Sequence, residues 1–255
     1  MGQRWGVVSD IHGNLPALQA VVADAGAVDG WLNLGDIVSG FLWPAETAEW
    51  LMAQGWPTIV GNHERQTLND SPERQGASDR FAAERLSPAQ RDWLAALPAT
   101  HQAAPGLFCV HGTPHTDLVY LLETVELSGR RAATAAEVDE RLAGFGLEPG
   151  SLVLCGHSHV QRTLAVAGVQ VLNPGSVGLQ AFHHDWPHPH TVASGSPLAR
   201  YAVVTGSRGE TGRPGAWSLD LRQVVYDWEA AAQRAESSGA PDWAHALRTG
   251  QPAPL

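Results

Sequence analysis

One stretch near the start of the chain decides the fold: Trp5-Gly6-Val7-Val8-Ser9-Asp10-Ile11-His12-Gly13-Asn14-Leu15-Pro16. Its apolar part, residues 5–9, predicts a buried strand. Residues 15–25 carry apolar side chains at helical spacing, and Asn14 before Pro16 fits the N-cap of a helix. Asp10 and His12 stand at the turn between these two elements. The stretch therefore predicts a strand–helix unit with two polar side chains at the carboxyl end of its strand.

The strand–helix pattern repeats along the chain. Apolar runs over residues 31–34 and 57–60 predict two more strands, and residues 45–54 predict a helix that ends at Gly55. Strand–helix–strand units in this order form a parallel sheet with right-handed crossovers. Glu137 and Arg141 stand four residues apart and are expected to pair on a later helix. The remaining pattern predicts helices over 79–86, 88–97, 133–143 and 228–237, and strands over 108–110, 152–155, 162–166, 169–172, 201–205 and 216–220.

Length and composition fit one globular domain. The 255 residues include 27 Gly and 17 Pro and show no repeat or linker, so we predict a single domain over residues 1–240 and a frayed C-terminal tail over 241–255. No apolar run reaches the ~18 residues of a membrane span, and the first strand begins without a signal peptide. Cys109 and Cys155 lie in apolar runs, which predicts burial without a disulfide. These features favour a cytoplasmic protein with no membrane partner.

The charge of the chain limits the classes of function. Its formal net charge is −10, which argues against a broad electrostatic grip on nucleic acid. The chain contains no lysine, so Schiff-base chemistry and a P-loop lysine are excluded. The sequence leaves open whether the chain forms a homo-oligomer.

Five short polar segments each follow an apolar run that predicts a strand. The carboxyl ends of parallel strands line one crevice, so the segments are expected to meet at one sheet edge. Asp10 to Asp36 and Asp36 to Asn62 are both 26 residues, about the length of one strand-plus-helix repeat. The segments are residues 9–14, 35–36, 61–64, 111–112 and 156–159.

The side chains of these segments suit metal ions. Carboxylate and amide oxygens with imidazole nitrogens fit divalent Mn, Fe, Zn, Co or Ni. Two such ions ~3.5–4 Å apart need about seven protein ligands, one of them bridging. Each segment alone is a weak signal, and the prediction rests on all five in order. The segments supply seven candidate ligands: Asp10, His12, Asp36, Asn62, His111, His157 and His159.

These segments resemble the calcineurin-like metallophosphoesterase superfamily, with its Asp-x-His, Gly-Asp, Gly-Asn-His-Asp/Glu, His and Gly-His-x-His signature. The resemblance runs from about Val7 to Gly178. The stretch Leu172-Asn173-Pro174-Gly175-Ser176-Val177-Gly178 further resembles the small bacterial YfcE-like phosphodiesterase branch. The resemblance implies an α/β fold, a four-layer α/β/β/α sandwich with two mixed sheets and a dinuclear metal site at the carboxyl ends of the strands.

The resemblance also implies an activity. The expected reaction is dinuclear-metal-dependent hydrolysis of a small phosphoester, above all a phosphodiester, by in-line attack of a metal-bridging hydroxide. His63 would assist the leaving group, oriented by Glu64 or Asp36. Two divalent ions are implied, with Mn favoured over Fe, Zn, Ni or Co. One ion would be held by Asp10, His12, Asp36 and His159, and the other by Asp36, Asn62, His111 and His157.

Several residues are candidates for the surroundings of the metals. Asn14 lies at a helix N-terminus, where backbone N–H groups favour phosphate, and Glu64 follows His63. His115 stands two residues after the place where many relatives carry a second histidine. Asn173 and Ser176 either hold a loop near the site or form a plain turn.

Two aromatic or histidine-rich segments have open roles. Residues 183–190 hold four histidines and Trp186; they line the substrate entrance, bind extra metal, or form an ordinary loop. Phe41 and Trp43 follow Asp36 closely, and they either stack an aromatic group of the substrate or pack in the core.

Other functions stay open beside phosphodiester hydrolysis. A non-catalytic scaffold would resemble the retromer subunit of this fold, although such a protein would lack His63 or several ligands, all of which are present here. A phosphomonoesterase or nucleotidase is a second alternative. The protein Ser/Thr phosphatase branch is disfavoured, because Ile37-Val38 follow Asp36 where that branch carries Arg-Gly. A nuclease is disfavoured by the acidic charge.

Overall fold

The central strands carry consecutive apolar residues whose side chains point alternately to two faces, so that two sheets pack face to face and helices cover their outer faces. The computed structural model describes residues 2–208 and 214–254. Its strands are β1 Gln3–Val8, β2 Gly30–Asn33, β3 Thr100–Ala104, β4 Leu107–Val110, β5 Glu123–Glu126, β6 Gly129–Ala132, β7 Leu152–Leu154, β8 Arg162–Val166, β9 Val169–Asn173, β10 Ala181–His184, β11 His190–Ala193, β12 Ala199–Arg208 and β13 Pro214–Val224. Its helices are α1 Leu15–Ala25, α2 Pro44–Gln54, α3 Asn62–Asn69, α4 Ala77–Ala83, α5 Pro88–Ala95, α6 Ala135–Leu142, α7 Trp228–Ser237 and α8 Pro241–Thr249.

Both large sheets mix parallel and antiparallel pairs. The first has the order β13-β12-β1-β2, in which only β1 and β2 run parallel. The second has the order β3-β4-β7-β9-β8, in which β4, β7 and β9 run parallel. The parallel strands therefore present their carboxyl ends in both sheets, where the polar segments follow them.

The alternation along β7 shows how the layers form. Leu152 and Leu154 are fully buried against residues of the other sheet, including Val7 and Leu32. Val153 points the other way, into a cluster with Val138 of α6. Each fully buried aliphatic side chain stabilises the fold by roughly 1.5–3 kcal/mol. Since α1, α2, α7 and α8 cover the outer face of the first sheet, the four-layer α/β/β/α sandwich with two mixed sheets is confirmed.

Several predicted elements differ in the structure. The third strand over residues 57–60 is wrong, because Thr58 makes only a single parallel bridge to Asn33 and the Val60 N–H then bonds to Pro98. The pairing of Glu137 with Arg141 is also wrong. Glu137 instead accepts hydrogen bonds from Arg131, while Arg141 donates to backbone carbonyls that include Leu121.

The C-terminal residues form a helix where fraying was expected. Pro241 occupies the first turn of α8, and Gly250 ends it in the left-handed conformation. Ala244 and Leu247 are buried in the core beneath α7. Fraying is therefore wrong for Pro241–Thr249.

Two further expectations concern the cysteines and a membrane span. Cys109 and Cys155 are buried and unpaired, as predicted. Among the described residues, no helix combines the length and the apolar character needed to cross a membrane.

Candidate metal centre

Four of the five polar segments follow strands through sharp turns that meet at one edge, and the fifth, residues 61–64, starts α3 next to Asp36. Asp10 follows β1 and Asp36 follows β2, and the two loops bond to each other through the Asp10 N–H and the Gly35 carbonyl at 3.0 Å. His111 follows β4, and its carbonyl accepts from the Gly156 N–H at 2.8 Å. A Cβ on Gly61 would lie 2.2 Å from Asp36 Oδ1, so only glycine allows this approach.

The turns put metal-binding side chains in a backbone conformation that is rare for them. Five non-glycine residues at this edge have a left-handed φ between 50° and 66°. Such backbone costs about 1–2 kcal/mol at each position, and clusters of it mark functional sites. The residues are Asp10, His12, Asp36, His157 and His159.

Four of these side chains form one group that could hold a metal ion: Asp10, His12, Asp36 and His159, all buried. His12 Nδ1 donates to the Ser39 carbonyl at 2.7 Å, and His159 Nδ1 donates to the Leu179 carbonyl at 2.7 Å. Because the carbonyls can only accept, the Nδ1–H of each ring is used there and its Nε2 faces the other ring, with the two nitrogens 3.1 Å apart. Burial and His159 lower the pKa of His12 to about 4, so its ring is neutral.

Two imidazole Nε2 atoms that face each other in this way can both bind one cation. Asp10 adds a further sign, since its buried Oδ2 has no hydrogen-bond partner. A buried unpaired carboxylate oxygen is unfavourable, and a metal ion would satisfy it. The donor set therefore fits a divalent cation.

A second group shares Asp36 with the first and adds His111 and His157. His111 Nδ1 donates to the Leu34 carbonyl, which turns its Nε2 towards Asn62 Oδ1 at 3.1 Å and Asp36 Oδ2 at 3.2 Å. Burial lowers the pKa of His111, but the Asp36 carboxylate raises it by more, to about 10. Without metal, a proton therefore occupies the place where a cation would bind.

His157 presents its other nitrogen to this second group. Its Nε2 donates to the Leu118 carbonyl at 3.1 Å, so Nδ1 is left as the ligand atom. Burial lowers the pKa of His157 to about 3, which keeps the ring neutral. The structure thus brings all seven predicted ligands together around two positions that share Asp36.

His63 lies beside the two groups with its ring held by a carboxylate that the sequence did not reveal. Its Nδ1 lies 2.7 Å from Asp79 Oδ1, and the backbone N–H donates to Asp36 Oδ1. Burial lowers the pKa of His63, but Asp36 and the hydrogen bond with Asp79 raise it by more, to about 9. The ring can therefore carry a proton on Nε2 at neutral pH. The expected orientation by Glu64 or Asp36 is wrong for the ring.

Glu64 holds the loops of the centre instead. Its buried carboxylate accepts from the backbone N–H groups of Asp36 at 2.8 Å, Ile37 at 2.6 Å and Gly61 at 3.0 Å. One side chain thereby fixes the loop of the shared aspartate to the start of α3.

Of the four remaining candidates, three hold loops or a helix next to the centre and one lies away from it. Asn173 donates to the Gly156 carbonyl, and Ser176 donates to the Asp10 carbonyl, so both hold ligand loops. Asn14 caps α1 and donates to the Gly178 carbonyl and to Tyr226. His115 is exposed and its Nε2 bonds to the Ala143 carbonyl, away from the centre.

The histidine-rich segment forms the hairpin of β10 and β11, which packs over the centre. Phe182 lies against His159 with ring centroids 4.7 Å apart. His190 Nδ1 donates to the His188 carbonyl, so its Nε2 accepts from Tyr120 Oη at 3.0 Å. The Tyr120 ring in turn lies 4.7 Å from that of His157. In the described part of the chain, the side chains grouped for metal binding are those of the centre, and no hairpin histidine belongs to them.

The two aromatic residues that follow Asp36, Phe41 and Trp43, lie in different surroundings. Trp43 packs on the core below the first sheet, which is the packing alternative of the two that the sequence left open. The ring centroids of Phe41 and Trp243 of α8 lie 5.4 Å apart, and those of Trp243 and His12 lie 5.9 Å apart. No pattern in the sequence predicts that α8 reaches the centre.

Buried aspartate and histidine groups at the carboxyl ends of two mixed sheets define a metal-dependent phosphoesterase. A family model for calcineurin-like phosphoesterase matches residues 4–161, and the chain belongs to that family. The family and the buried groups imply divalent metal ions.

Solved structures show the same fold. A metallophosphoesterase from Sphaerobacter thermophilus is 23% identical, with a TM-score of 0.72 over 98% of this chain and 100% of the other. A hypothetical protein from Pyrococcus horikoshii is 19% identical, with a TM-score of 0.71 over 98% and 99%. No curated protein matches the chain.

Proposed function

We propose that the chain is a dinuclear-metal phosphodiesterase that acts on a small phosphoester. The observation that carries the proposal is the pair of facing Nε2 atoms of His12 and His159, 3.1 Å apart, in one group with Asp10, whose buried Oδ2 has no hydrogen-bond partner. One ion would be held by Asp10, His12, Asp36 and His159. The other would be held by Asp36, Asn62, His111 and His157.

The chemistry that two bound cations supply is charge neutralisation of the phosphate and a lowered pKa for water. The residues of the chain supply the rest. Asp36 belongs to both groups and would set the distance between the ions. His63, with its Nδ1 held by Asp79, would donate a proton from Nε2 to the leaving oxygen. Asp79 would keep that ring in place and stabilise its charge.

A diester is favoured over a monoester by the apolar loop that follows the shared ligand Asp36. A monoester carries one more negative charge, and enzymes that bind it gain from an added arginine. In this chain Ile37 and Val38 follow Asp36, and both are buried and apolar. The loop of the bridging ligand therefore offers no cation for a second phosphate charge. The metal in this proposal is Mn²⁺, which suits a mixed oxygen and imidazole donor set. The proposed location of the enzyme is the cytoplasm.

Metal removal tests the proposal. The protein is stripped with a chelator, then assayed on bis(p-nitrophenyl) phosphate and p-nitrophenyl phosphate with Mn²⁺, Fe²⁺, Zn²⁺, Ni²⁺ or Co²⁺ added back. We expect no activity in the metal-free protein and binding of about two ions per chain when metal is added back. We also expect a higher kcat/KM on the diester than on the monoester. Full activity in the metal-free protein would refute the metal mechanism, and a preference for the monoester would refute the diester assignment.

A further inference from the structure

A cavity of about 180 Å³ opens on the His63 side of the centre. Asn62, His63 and His157 line it, together with the exposed residues Arg74 and Trp186. Since His63 is proposed to protonate the leaving oxygen, the cavity adjoins the group that departs. Arg74 and Trp186 would therefore face the part of the substrate beyond the scissile bond.

Arg74 brings a free positive charge to this cavity. Its side chain is exposed and forms no ion pair or side-chain hydrogen bond within residues 2–208 and 214–254. Asp70 lines the same cavity without pairing to it. The other carboxylate that lines the cavity, Asp79, is hydrogen-bonded to His63. A guanidinium without a partner binds a phosphate through two parallel hydrogen bonds.

Trp186 brings an aromatic surface to the same place. It lies in the turn of the β10–β11 hairpin and is 49% exposed. It also lines a neighbouring cavity of about 130 Å³, together with Leu118, His157 and His184. Its indole makes no ring contact with the described residues. An exposed indole at a cavity mouth offers a stacking face for a nucleobase.

We propose that this cavity binds a nucleotide leaving group, with its phosphate on Arg74 and its base on Trp186. The inference rests on the proposed function and names its substrate class as a dinucleotide joined through phosphates. In the reaction, water adds to one phosphorus and the bond from that phosphorus to the bridging oxygen breaks. The bridging oxygen takes a proton from His63, and two nucleoside monophosphates form from one dinucleoside diphosphate.

The experiment compares two substrates on the metal-loaded full chain. Diadenosine 5′,5′-diphosphate has a nucleotide leaving group, and bis(p-nitrophenyl) phosphate lacks the second phosphate. We expect Arg74→Ala to lower kcat/KM on the dinucleotide about 10- to 100-fold, the usual effect of a lost charged hydrogen bond, and on bis(p-nitrophenyl) phosphate less than about 3-fold. Trp186→Ala should also lower kcat/KM for the dinucleotide. Arg80→Ala is the matched control, since Arg80 bonds to the Pro72 carbonyl in the same loop but does not line the cavity.

The outcomes separate the two proposals. Equal losses on both substrates in the Arg74 variant, or an equal loss in the Arg80 control, would overturn the inference. Wild-type cleavage of bis(p-nitrophenyl) phosphate without cleavage of the dinucleotide would also overturn it and leave the proposed function standing. Failure to cleave either substrate with any metal would overturn the proposed function and the inference together.

Discussion

Replacing Asp79 by asparagine tests the role of His63 without touching a proposed metal ligand. The Asp79 side chain is 5% exposed and its Oδ1 lies 2.7 Å from His63 Nδ1. Asparagine can still accept a hydrogen bond from the ring, so the main loss is the negative charge. A hydrogen bond to a charged partner contributes about 1.5–3 kcal/mol, and His63 is 29% exposed, which favours the lower end. A loss of 1.5 kcal/mol corresponds to about a 10-fold fall in rate.

The size of the fall should depend on the leaving group. An alkyl alcohol leaves poorly and needs a proton, whereas p-nitrophenolate leaves without one. We expect Asp79→Asn to lower kcat about 10- to 100-fold on a diester with an alkyl leaving group, and less than about 3-fold on bis(p-nitrophenyl) phosphate. The assay is steady-state kinetics on both esters, with metal content measured on each variant.

The matched control is Asp117→Asn. Asp117 is also a paired carboxylate, bonded to Arg65 at 2.7 and 2.8 Å, but it does not contact His63. It should leave the ratio of the two rates unchanged. The reasoning fails if Asp79→Asn slows both esters equally, or if the variant loses metal.

Three further predictions concern the centre and the core. Asp36→Asn should reduce occupancy of both metal positions in elemental analysis, whereas Asp10→Asn should reduce one; loss of one ion in the Asp36 variant would refute bridging. His115→Ala should keep kcat within about 2-fold in the diester assay, because the side chain is exposed and bonded to Ala143; a larger fall would place it in the reaction. Leu154→Ala, at a fully buried position between the sheets, should lower the free energy of unfolding by about 2–5 kcal/mol in guanidinium titration. Leu127→Ala, 89% exposed, should change it by less than about 0.5 kcal/mol, and equal effects would contradict the assigned packing.

Six of the seven candidate ligands could be found from sequence because they lie in loops that follow strands, whereas Asn62 follows the apolar run over residues 57–60, which forms only a single bridge. Apolar runs predict strands, and parallel strands bring their carboxyl ends together. The geometry of Asp10, Asp36 and His111 therefore follows from local pattern and topology alone. The ring orientation of His157, which presents Nδ1, depends on the Leu118 carbonyl and has no local signal.

Residues that act across long distances in sequence were missed. Asp79 reaches His63 from another helix, sixteen residues later, and nothing in the surrounding residues marks it. Trp243 approaches His12 from a segment rich in Pro and Gly, which predicted fraying. The β5–β6 hairpin carries a turn signal at Ser128-Gly129 that could have been used. The β10–β11 hairpin carries histidines and prolines that hide its alternation.

The left-handed turns at the metal centre have a consequence for how this protein can evolve. Each of the five non-glycine residues there, Asp10 and His12 among them, makes the folded backbone less stable than glycine would. Metal binding to the folded state would offset that loss. Glycine at these positions would relieve the strain but would remove the side chain that could bind metal. At all five positions the sequence therefore keeps a side chain of a metal-binding type where glycine would give the less strained backbone.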